Sequence, residues 1–436
     1  MNCERLQTFR QEIHRLLSRA KDATFELMDA VMTTRQASSV AEFSLSPMFN
    51  RKYPSTYEAI EDCRPQRNQL MQLCLNQIPV QKYSVFGIDH TAWVRPDAKT
   101  LKDRTYEYVQ QASVPGQGYS TIAWLPEGKN SWALPLRHER ITSWESPISK
   151  AAWQLKQLLK HYHHKALVLL DREYGNAKWV NATVKLKVDC VMRIRSNTCL
   201  WGTPPAYSGR GRPRKHGQKW QLTATEHWNS PDELLELVTS SYGRVRVSLW
   251  KDLHFYSAAD NPVNLILVER LDPTGSGRVM PPLWLAWTGE RTMPLEEIWH
   301  QYLRRFGIEH WYRFAKQRLH WTMPSFKTPN WAGDPTSEQC QRWSDLMPLM
   351  TWQLWLAKDL VTQYRLPWQS ATINLSPGRV AQSMFALLVE IGTPANLPKQ
   401  RGKSHGRAIG FKCTPRIRYP IAKKTYSQPK KQQETT

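Results

Sequence analysis

The sequence predicts a mixed α/β fold in which a core of strands and helices is interrupted by a β-rich insertion and flanked by helical regions. Two apolar stretches, "KYSVFGIDH" (82–90) and "KALVLLDREYG" (165–175), have the length and composition of buried strands, and each runs into an aspartate. Long amphipathic segments precede the first stretch, and a helical spacing of apolar residues appears again after residue 294. Together these features divide the chain into six regions.

The first 78 residues predict a helical, basic N-terminal domain. Residues 4–34 place apolar side chains at helical spacing, and residues 56–78 do the same with a break at Pro65. Such a domain either contacts a polyanion through its basic side chains or serves as a packing arm for the rest of the chain.

Residues 79–197 predict the first part of a core sheet. The expected order is three strands, a helix, a strand, a helix and a last strand. The strands are placed at 82–90, 107–125, 131–141, 165–175 and 189–197, and the first helix at 146–164. This order matches that of a ribonuclease-H-like α/β core.

The predicted secondary structure of the second half of the chain changes along its length. Residues 198–290 are rich in β-formers and predict the insertion, whereas 291–335 return to a helical pattern and complete the core. Residues 336–393 predict a helical C-terminal region, with helices at 337–363 and 376–391. The basic segment 394–436, with several Pro and Gly, predicts a flexible tail.

The charge of the chain indicates a nucleic-acid partner. There are 60 Lys and Arg against 37 Asp and Glu, a formal net charge of +23, and the pI is near 9.8. Positive charge on this scale repels itself in a compact protein unless a polyanion binds. An anionic membrane is the weaker alternative, because no apolar run approaches the roughly 18 residues that span a bilayer.

Other features narrow the class of protein. The start of the chain lacks the apolar stretch of a secretory signal, and seven cysteines without a CxxC pair argue against a zinc ribbon or a disulfide framework. Glycine-rich fragments lack the Gly-Lys-Ser/Thr context of a phosphate loop, so no nucleotide cofactor is expected. We therefore expect a cytoplasmic protein that does not bind a membrane.

The segment "QYLRRFGIEHWYRFAKQRLHW" (301–321) carries the first candidate site. If residues 295–320 form one helix, then Tyr302, Arg305, Glu309 and Lys316 fall within a stripe of about 60° on its surface. A solvated charged face, with Arg305 and Glu309 paired at i and i+4, is the alternative interpretation of this stripe.

Two aspartates supply possible partners for Glu309. Asp89 and Asp171 each close a predicted strand, and the carboxyl ends of strands are where sites form in α/β sheets. Either aspartate alone could instead cap a helix or stabilise a turn. Together with Glu309 they make a candidate site for two Mg²⁺ or Mn²⁺ ions, which prefer carboxylate oxygens and can promote phosphodiester chemistry.

The spacing of the four stripe residues resembles a family signature. Bacterial insertion-sequence transposases of the DDE type have the pattern Y-(2)-R-(3)-E-(6)-K, in which the numbers count the residues between the named ones. This chain has a similar pattern at Tyr302, Arg305, Glu309 and Lys316. "IDHT" around Asp89 and "LLDREYG" around Asp171 resemble the first and second aspartate motifs of the same group. The resemblance covers about 82–321. Glu173 departs from the group's pattern, in which a glycine is commoner.

The resemblance implies a role for each matching residue. Asp89, Asp171 and Glu309 would bind two magnesium ions. Contacts with DNA phosphates would come from Tyr302, Arg305 and Lys316. Water would cut the transposon end, and the freed 3′-hydroxyl would attack the other strand or target DNA. Aromatic residues stack on a flipped base in several members of the group, and the candidates here are Trp284, Trp287 and Phe306.

A second basic motif lies in the insertion. "SGRGRPRKHG" (208–217) looks like an AT-hook, in which a slim Gly-Arg-Pro backbone lies in a narrow A·T minor groove. Its arginines are Arg210, Arg212 and Arg214. The alternative is an exposed basic loop that serves solubility or general contact with the DNA backbone.

These observations lead to the prediction of a DNA transposase that acts as a homodimer on two transposon ends and on target DNA, at the bacterial nucleoid. A non-catalytic, domesticated DNA-binding protein and a stand-alone metal-dependent DNA endonuclease remain the alternatives, since the sequence does not separate cutting from cutting followed by joining.

Overall fold

The computed structural model of the chain describes residues 3–128, 131–224, 228–239, 242–272, 281–290, 293–323, 336–362, 367–368, 374–399, 406, 408–412 and 417–425. It divides into two compact units. Unit 1 comprises Met1–Pro79, His90–Pro147 and Gly307–Thr436, and unit 2 comprises Val80–Asp89 and Ile148–Phe306.

The described residues form ten α-helices and twelve strands. The helices are α1 (Glu4–Leu16), α2 (Lys21–Thr33), α3 (Pro54–Asp62), α4 (Arg67–Leu75), α5 (Pro147–Leu159), α6 (Ala177–Thr183), α7 (Leu295–Leu303), α8 (Phe306–Gln317), α9 (Ser337–Ala357) and α10 (Pro377–Ile391). The strands are β1 (Ser84–Val94), β2 (Thr105–Val109), β3 (Ala112–Trp124), β4 (Leu134–Ile141), β5 (Ala166–Leu170), β6 (Asp189–Arg193), β7 (Cys199–Trp201), β8 (Lys219–Gln221), β9 (Glu233–Thr239), β10 (Gly243–Leu253), β11 (Val263–Arg270) and β12 (Leu283–Thr288).

The order of elements confirms the predicted α/β fold class. Three strands (β1, β3 and β4), a helix, β5, a second helix and β6 follow one another as expected for a ribonuclease-H-like core, and β2 is an added hairpin strand. The described residues of 198–290 form strands β7–β12 and one short 3-10 helix at Tyr256–Ala258, as expected for the β-rich insertion. None of the described helices combines the length and the apolar composition needed to cross a bilayer.

In unit 1, the N-terminal helices share a buried core with the C-terminal ones. Arg10 of α1 is 2% exposed and donates hydrogen bonds to both carboxylate oxygens of Asp29 in α2, at 2.7 and 2.8 Å, and to Gln353 of α9 at 2.7 Å. Because these contacts link residues far apart in the chain, the helices of the first 78 residues belong to a unit that also includes β2–β4 and α8–α10.

Unit 2 is built on a mixed sheet. The first half of β1 pairs with β5 and β5 pairs with β6, both in parallel, and the strands of the insertion then continue in the order β12, β11, β10 and β9 through antiparallel pairs. All five residues of β5, "ALVLL", are buried, as expected for a central strand of a parallel sheet.

One expectation about the helices is wrong. Residues 295–320 do not form a single helix, because α7 ends at Leu303 and α8 begins at Phe306. The backbone N–H groups of Arg304 and Arg305 bond to carbonyls three residues back, at 3.0 and 3.1 Å, which tightens the chain into a turn. The continuous stripe calculated from the sequence is therefore interrupted between Tyr302 and Glu309.

Part of the C-terminal segment is also more ordered than its composition suggests. Residues 417–425 lie along unit 1, where the backbone N–H groups of Tyr419, Ala422 and Thr425 donate to carbonyls of Lys99, Arg104 and Ser143 at 2.7–2.9 Å. Lys424 adds an ion pair with Glu107 at 3.1 Å. The expectation of a flexible tail at 400–405, 413–416 and 426–436 falls outside the described residues.

Replacement of Arg10 should cost far more stability than replacement of an exposed arginine on the same helix. Arg10→Ala leaves the Asp29 carboxylate buried without its cation, and we expect a loss of about 3–5 kcal/mol in the free energy of unfolding. Arg15→Ala removes an exposed pair with Glu12 and should cost less than about 1 kcal/mol. Urea denaturation compares the two, and equal losses would contradict the buried network.

Acidification should weaken unit 1 through His138. Burial, with a smaller effect of Lys316, lowers the pKa of this imidazole to about 3, whereas an unfolded histidine titrates near 6.5. Because the unfolded chain takes up the proton first as the pH falls below about 6.5, stability is lost, by about 2 kcal/mol at pH 5. The test measures the free energy of unfolding of wild type and of His138→Gln at pH 7.5 and at pH 5.0. The decrease between the two pH values should be about 2 kcal/mol smaller in His138→Gln than in wild type. Equal decreases in the two proteins would refute the role of His138.

Candidate active site

Asp89 and Asp171 lie side by side in unit 2. The parallel register of β1 and β5 ends with Ile88 opposite Leu170, so the next residue on each strand is an aspartate. Neighbouring strands are about 4.8 Å apart, and residues in register share a face of the sheet. Two carboxylates therefore meet on one face at the end of this pairing.

The two aspartates differ in their position along the strand. Asp171 follows the last residue of β5, as the sequence predicts. Asp89 does not close its strand, because β1 continues to Val94. The extension "HTAWV" contains Thr91, Trp93 and Val94, which favour strand conformation, so the sequence gives β1 no reason to stop at the aspartate.

A tight turn fixes Asp171. Its Oδ1 accepts the backbone N–H of Arg172 at 2.6 Å, and its carbonyl accepts the N–H of Tyr174 at 3.0 Å. Gly175 passes so close to β6 that an added Cβ would lie 2.1 Å from the carbonyl oxygen of Arg193, so no larger residue fits there. Asn176 then caps α6 by accepting two backbone N–H groups.

Glu173, the departure from the family pattern, has a partner of its own. Its carboxylate pairs with Arg195 at 2.8 Å, and both side chains are about half exposed (47% and 56%). Glu173 is therefore a surface ion-pair residue beside the two aspartates.

The site also contains a buried phenol, that of Tyr174, which no sequence pattern selects. Tyr174 is fully buried, and burial raises the pKa of its hydroxyl well above the ordinary value, with further upward contributions from Asp89, Asp171 and Glu173. The hydroxyl is therefore protonated at neutral pH. Its position in "DREYG" is the only signal that the sequence offers, since a buried tyrosine usually indicates packing alone.

Tyr302 and Arg305 lie in the same unit as the aspartates. The guanidinium of Arg305 is 3.5 Å from the Asp89 carboxylate, with the side chains 4% and 14% exposed. Burial raises the pKa of Tyr302 to about 12; Asp171 adds to the rise, whereas Arg305 and Arg193 oppose it. Both residues are 3% exposed, so the interpretation of a solvated charged face is wrong for them.

Arg193, which contributes to the field at Tyr302, was not selected from the sequence. It is the last residue of β6, whereas the strand predicted from the sequence runs to residue 197 and gives its basic side chains no role. The signal that could have identified it is a basic residue at the carboxyl end of a third parallel strand.

Comparison with known families identifies the chain. A family described as DDE superfamily endonuclease matches residues 8–254, more than half of the chain. The chain belongs to this DDE endonuclease superfamily. A search among curated proteins finds no match. The matched segment contains Asp89 and Asp171 and ends before Tyr302.

Membership defines the general activity. DDE superfamily endonucleases act on DNA, by nuclease or transposase chemistry, and generally use divalent metal ions. The two adjacent carboxylates fit this requirement, because Asp89 and Asp171 present hard oxygen donors and Arg305 offsets part of their mutual repulsion. Among the described residues, no group of three or more His, Cys, Asp or Glu side chains is arranged to hold a metal ion.

The other two residues of the predicted four-residue spacing, Glu309 and Lys316, belong to α8 within unit 1. Glu309 is an exposed residue in the first turn of α8. Lys316 donates to the hydroxyl of Thr91 at 2.8 Å, and burial lowers the pKa of its ammonium. The four residues of the signature thus divide between the two units, with Tyr302 and Arg305 in unit 2.

The three aromatic candidates differ in exposure. Trp284 and Trp287 of β12 are 4% and 3% exposed, and Trp284 packs on Trp228 at 4.9 Å between ring centroids. Phe306 is 47% exposed, and the guanidinium of Arg305 lies over its ring at 5.2 Å. Of the three, Phe306 presents a ring surface to solvent.

The AT-hook-like motif of the DDE endonuclease forms an exposed loop between β7 and β8. Arg210, Arg212 and Arg214 are all exposed. Gly209 and Gly211 adopt positive φ, and a Cβ added to either would meet no atom within 4 Å. The base of the loop is closed by backbone hydrogen bonds from Gly217 to Gly202 and from Gly202 to Gln218, both at 2.9 Å.

Proposed function

We propose that this DDE endonuclease is a DNA transposase that cuts transposon ends and joins them to target DNA. The observation that carries the proposal is the pair Asp89 and Asp171, in register on neighbouring parallel strands and accompanied by Tyr302 and Arg305. The spacing of Tyr302, Arg305, Glu309 and Lys316 favours transposition over other reactions of the superfamily.

The proposed metal ligands are Asp89, Asp171 and Glu309. Two Mg²⁺ or Mn²⁺ ions bound there would supply Lewis-acid stabilisation of the oxygens that attack and leave. The protein's part is to hold the carboxylates together: the parallel register brings two of them side by side, and Arg305 reduces the repulsion between them.

The proposed phosphate contacts come from Tyr302, Arg305 and Lys316. Arg305 offers the planar, bidentate donor set that suits a phosphate, and Lys316 offers a point charge. The Tyr302 hydroxyl is protonated at neutral pH and can donate a hydrogen bond. Because Tyr302 and Arg305 are buried, the scissile phosphate must enter the site and cannot simply lie across an exposed helix face.

The reaction that we propose has two steps. Water first attacks the phosphodiester at a transposon end and gives a 3′-hydroxyl and a 5′-phosphate. The 3′-hydroxyl then attacks a phosphodiester of the other strand or of target DNA, which forms a new phosphodiester and releases a 3′-hydroxyl from the attacked strand. If a base is flipped during the reaction, Phe306 is the exposed ring available to stack on it, whereas Trp284 and Trp287 would first have to leave the core.

Further DNA contacts follow from charge and exposure. The net charge of +23 suits a long polyanion. The Arg210, Arg212 and Arg214 loop is slim and exposed enough to enter a minor groove, and the basic helices of the first 78 residues are a second candidate surface. Because two transposon ends must be joined, we propose a homodimer in the DNA complex.

A stand-alone DNA endonuclease is the second candidate function. The description of the matched family as an endonuclease favours it, since cutting alone satisfies that description. The same residues would perform the hydrolytic step, and the 3′-hydroxyl would be released as product.

The decisive experiment measures cutting and joining separately. The protein is incubated with Mg²⁺, a duplex that carries the element's terminal inverted repeat with flanking DNA, and a supercoiled target plasmid. The wild type should nick and join. Asp171→Ala should lower cleavage at least about a thousandfold, because loss of a metal ligand removes several kcal/mol of transition-state stabilisation.

Glu173→Gln is the matched control, since this neighbouring carboxylate pairs with Arg195 at the surface, and its cleavage rate should stay within about tenfold of wild type. Equal rates for wild type and Asp171→Ala would overturn the catalytic assignment. Nicks without joined products would favour the endonuclease.

The basic loop should contribute a salt-dependent share of DNA affinity. If Arg210, Arg212 and Arg214 each contact a phosphate or the groove beside it, replacement of all three by Ala lowers the slope of log K against log salt by about 2–3, since each neutralised phosphate contributes about 0.9. The loss should be larger on A·T-rich than on G·C-rich duplexes.

The double variant Arg244→Ala/Arg246→Ala is the control for this measurement, because the side chains of both arginines on β10 are 65% and 43% exposed and pair with Asp272 and Glu236. An unchanged slope in the triple variant would refute DNA contact by the loop. Equal losses on both duplexes would replace minor-groove binding by general backbone contact.

A further inference from the structure

A third side chain stands in the same row as the two aspartates. The register of β5 and β6 ends with Leu170 opposite Met192, so Asp171 is followed across the sheet by Arg193. Combined with the β1–β5 register, this gives a row of Asp89, Asp171 and Arg193 on three consecutive parallel strands. Because neighbouring strands lie about 4.8 Å apart and residues in register share a face, the register places Asp171 and Arg193 as neighbours on one face.

The charge of Arg193 acts on the site. Asp171 and Arg193 both influence the pKa of the Tyr302 hydroxyl, the first upward and the second downward. Their charges therefore reach the same buried atom. This observation agrees with the row derived from the strand register.

The neighbouring arginines already have carboxylate partners. Arg305 lies 3.5 Å from Asp89, and Arg195 lies 2.8 Å from Glu173. Arg193 is half-buried, and within the part of the chain that the structure describes it makes no ion pair or side-chain hydrogen bond. Its guanidinium donors are therefore available to a ligand that brings negative charge.

We propose that Arg193 binds the DNA phosphate at, or directly next to, the bond being cut. Its planar guanidinium can donate two parallel hydrogen bonds to the non-bridging oxygens, which a lysine cannot reproduce. This contact would offset the repulsion that Asp89 and Asp171 exert on a polyanion and would set the position of the strand beside them. The inference rests on the proposed action on DNA, and it extends the set of DNA-binding residues beyond the four-residue signature.

The test maps one phosphate at a time and needs no cleavage. Binding is measured without divalent metal ions on the terminal-repeat duplex, which carries a single uncharged methylphosphonate at successive positions across the cleavage site. Wild type should lose about tenfold or more in affinity at one position at or next to the scissile bond, as expected for a charge-assisted hydrogen bond. Arg193→Ala should bind the unmodified duplex weaker by a similar factor and lose nothing further at that position.

Two further variants make the result specific. Arg193→Lys should recover part of the affinity, because it restores charge without the bidentate geometry. Arg195→Ala should show the wild-type methylphosphonate profile, since Arg195 pairs with Glu173. If Arg193→Ala proves poorly folded by circular dichroism, Arg193→Gln replaces it, with the same expected profile.

The outcomes separate this inference from the proposed function. If wild type cuts DNA but Arg193→Ala keeps the full methylphosphonate sensitivity next to the scissile bond, Arg193 has no such contact and the transposase assignment stands. If wild type neither binds nor cuts the duplex, both fail. Loss of the sensitive position in Arg193→Ala, together with partial recovery in Arg193→Lys, supports the contact.

Discussion

The parallel pairing of β1, β5 and β6 is the constraint on which the rest of the site depends. Each of these strands ends its pairing in the same register, so the residues that follow Ile88, Leu170 and Met192 form one row. A slip of one residue in any strand would send its side chain to the opposite face of the sheet. A slip of β5 by one residue is disfavoured because it would draw a charged flanking residue, Lys165 or Asp171, into the buried part of the sheet.

The carboxylates of Asp89 and Asp171 repel each other, and the arginines beside them reduce this repulsion. Two carboxylates on adjacent strands repel each other, and each disfavours ionisation of the other. Arg305 lies beside Asp89, and Arg193 continues the row on the far side of Asp171. The two buried phenols, Tyr174 and Tyr302, are kept protonated by burial and by the same carboxylates, so they add hydrogen-bond donors without adding negative charge.

The sequence contained much of the fold because the strands and helices have clear periodicities. The apolar run "ALVLL" and the aspartate after it were placed correctly, and so was the β-rich character of 198–290. The sequence predicts a strand end at Asp89 because the stretch before it is the more apolar part, whereas β1 continues through the polar residues His90 and Thr91 to Val94. Arg193 was missed for a different reason: its role depends on pairing between strands, which no local pattern encodes.

The helix break shows why spacing alone cannot give geometry. A regular helix from 295 to 320 would place Tyr302, Arg305 and Glu309 on one stripe, but the turn at Arg304 and Arg305 separates α7 from α8. That turn allows Tyr302 and Arg305 to be buried within unit 2, whereas residues on one exposed face of a helix would stay solvated.

The chemical consequence of this burial concerns Arg305. An exposed arginine interacts weakly with a carboxylate because water screens both charges, but a guanidinium that is 4% exposed interacts with Asp89 through a medium of lower dielectric constant. Its charge therefore acts strongly on whatever anion enters beside Asp89. The spacing between Arg305 and Glu309 fixes only the number of residues between this buried cation and the exposed carboxylate in the first turn of α8. The position of the Arg305 guanidinium is set instead by the tight turn at Arg304 and Arg305.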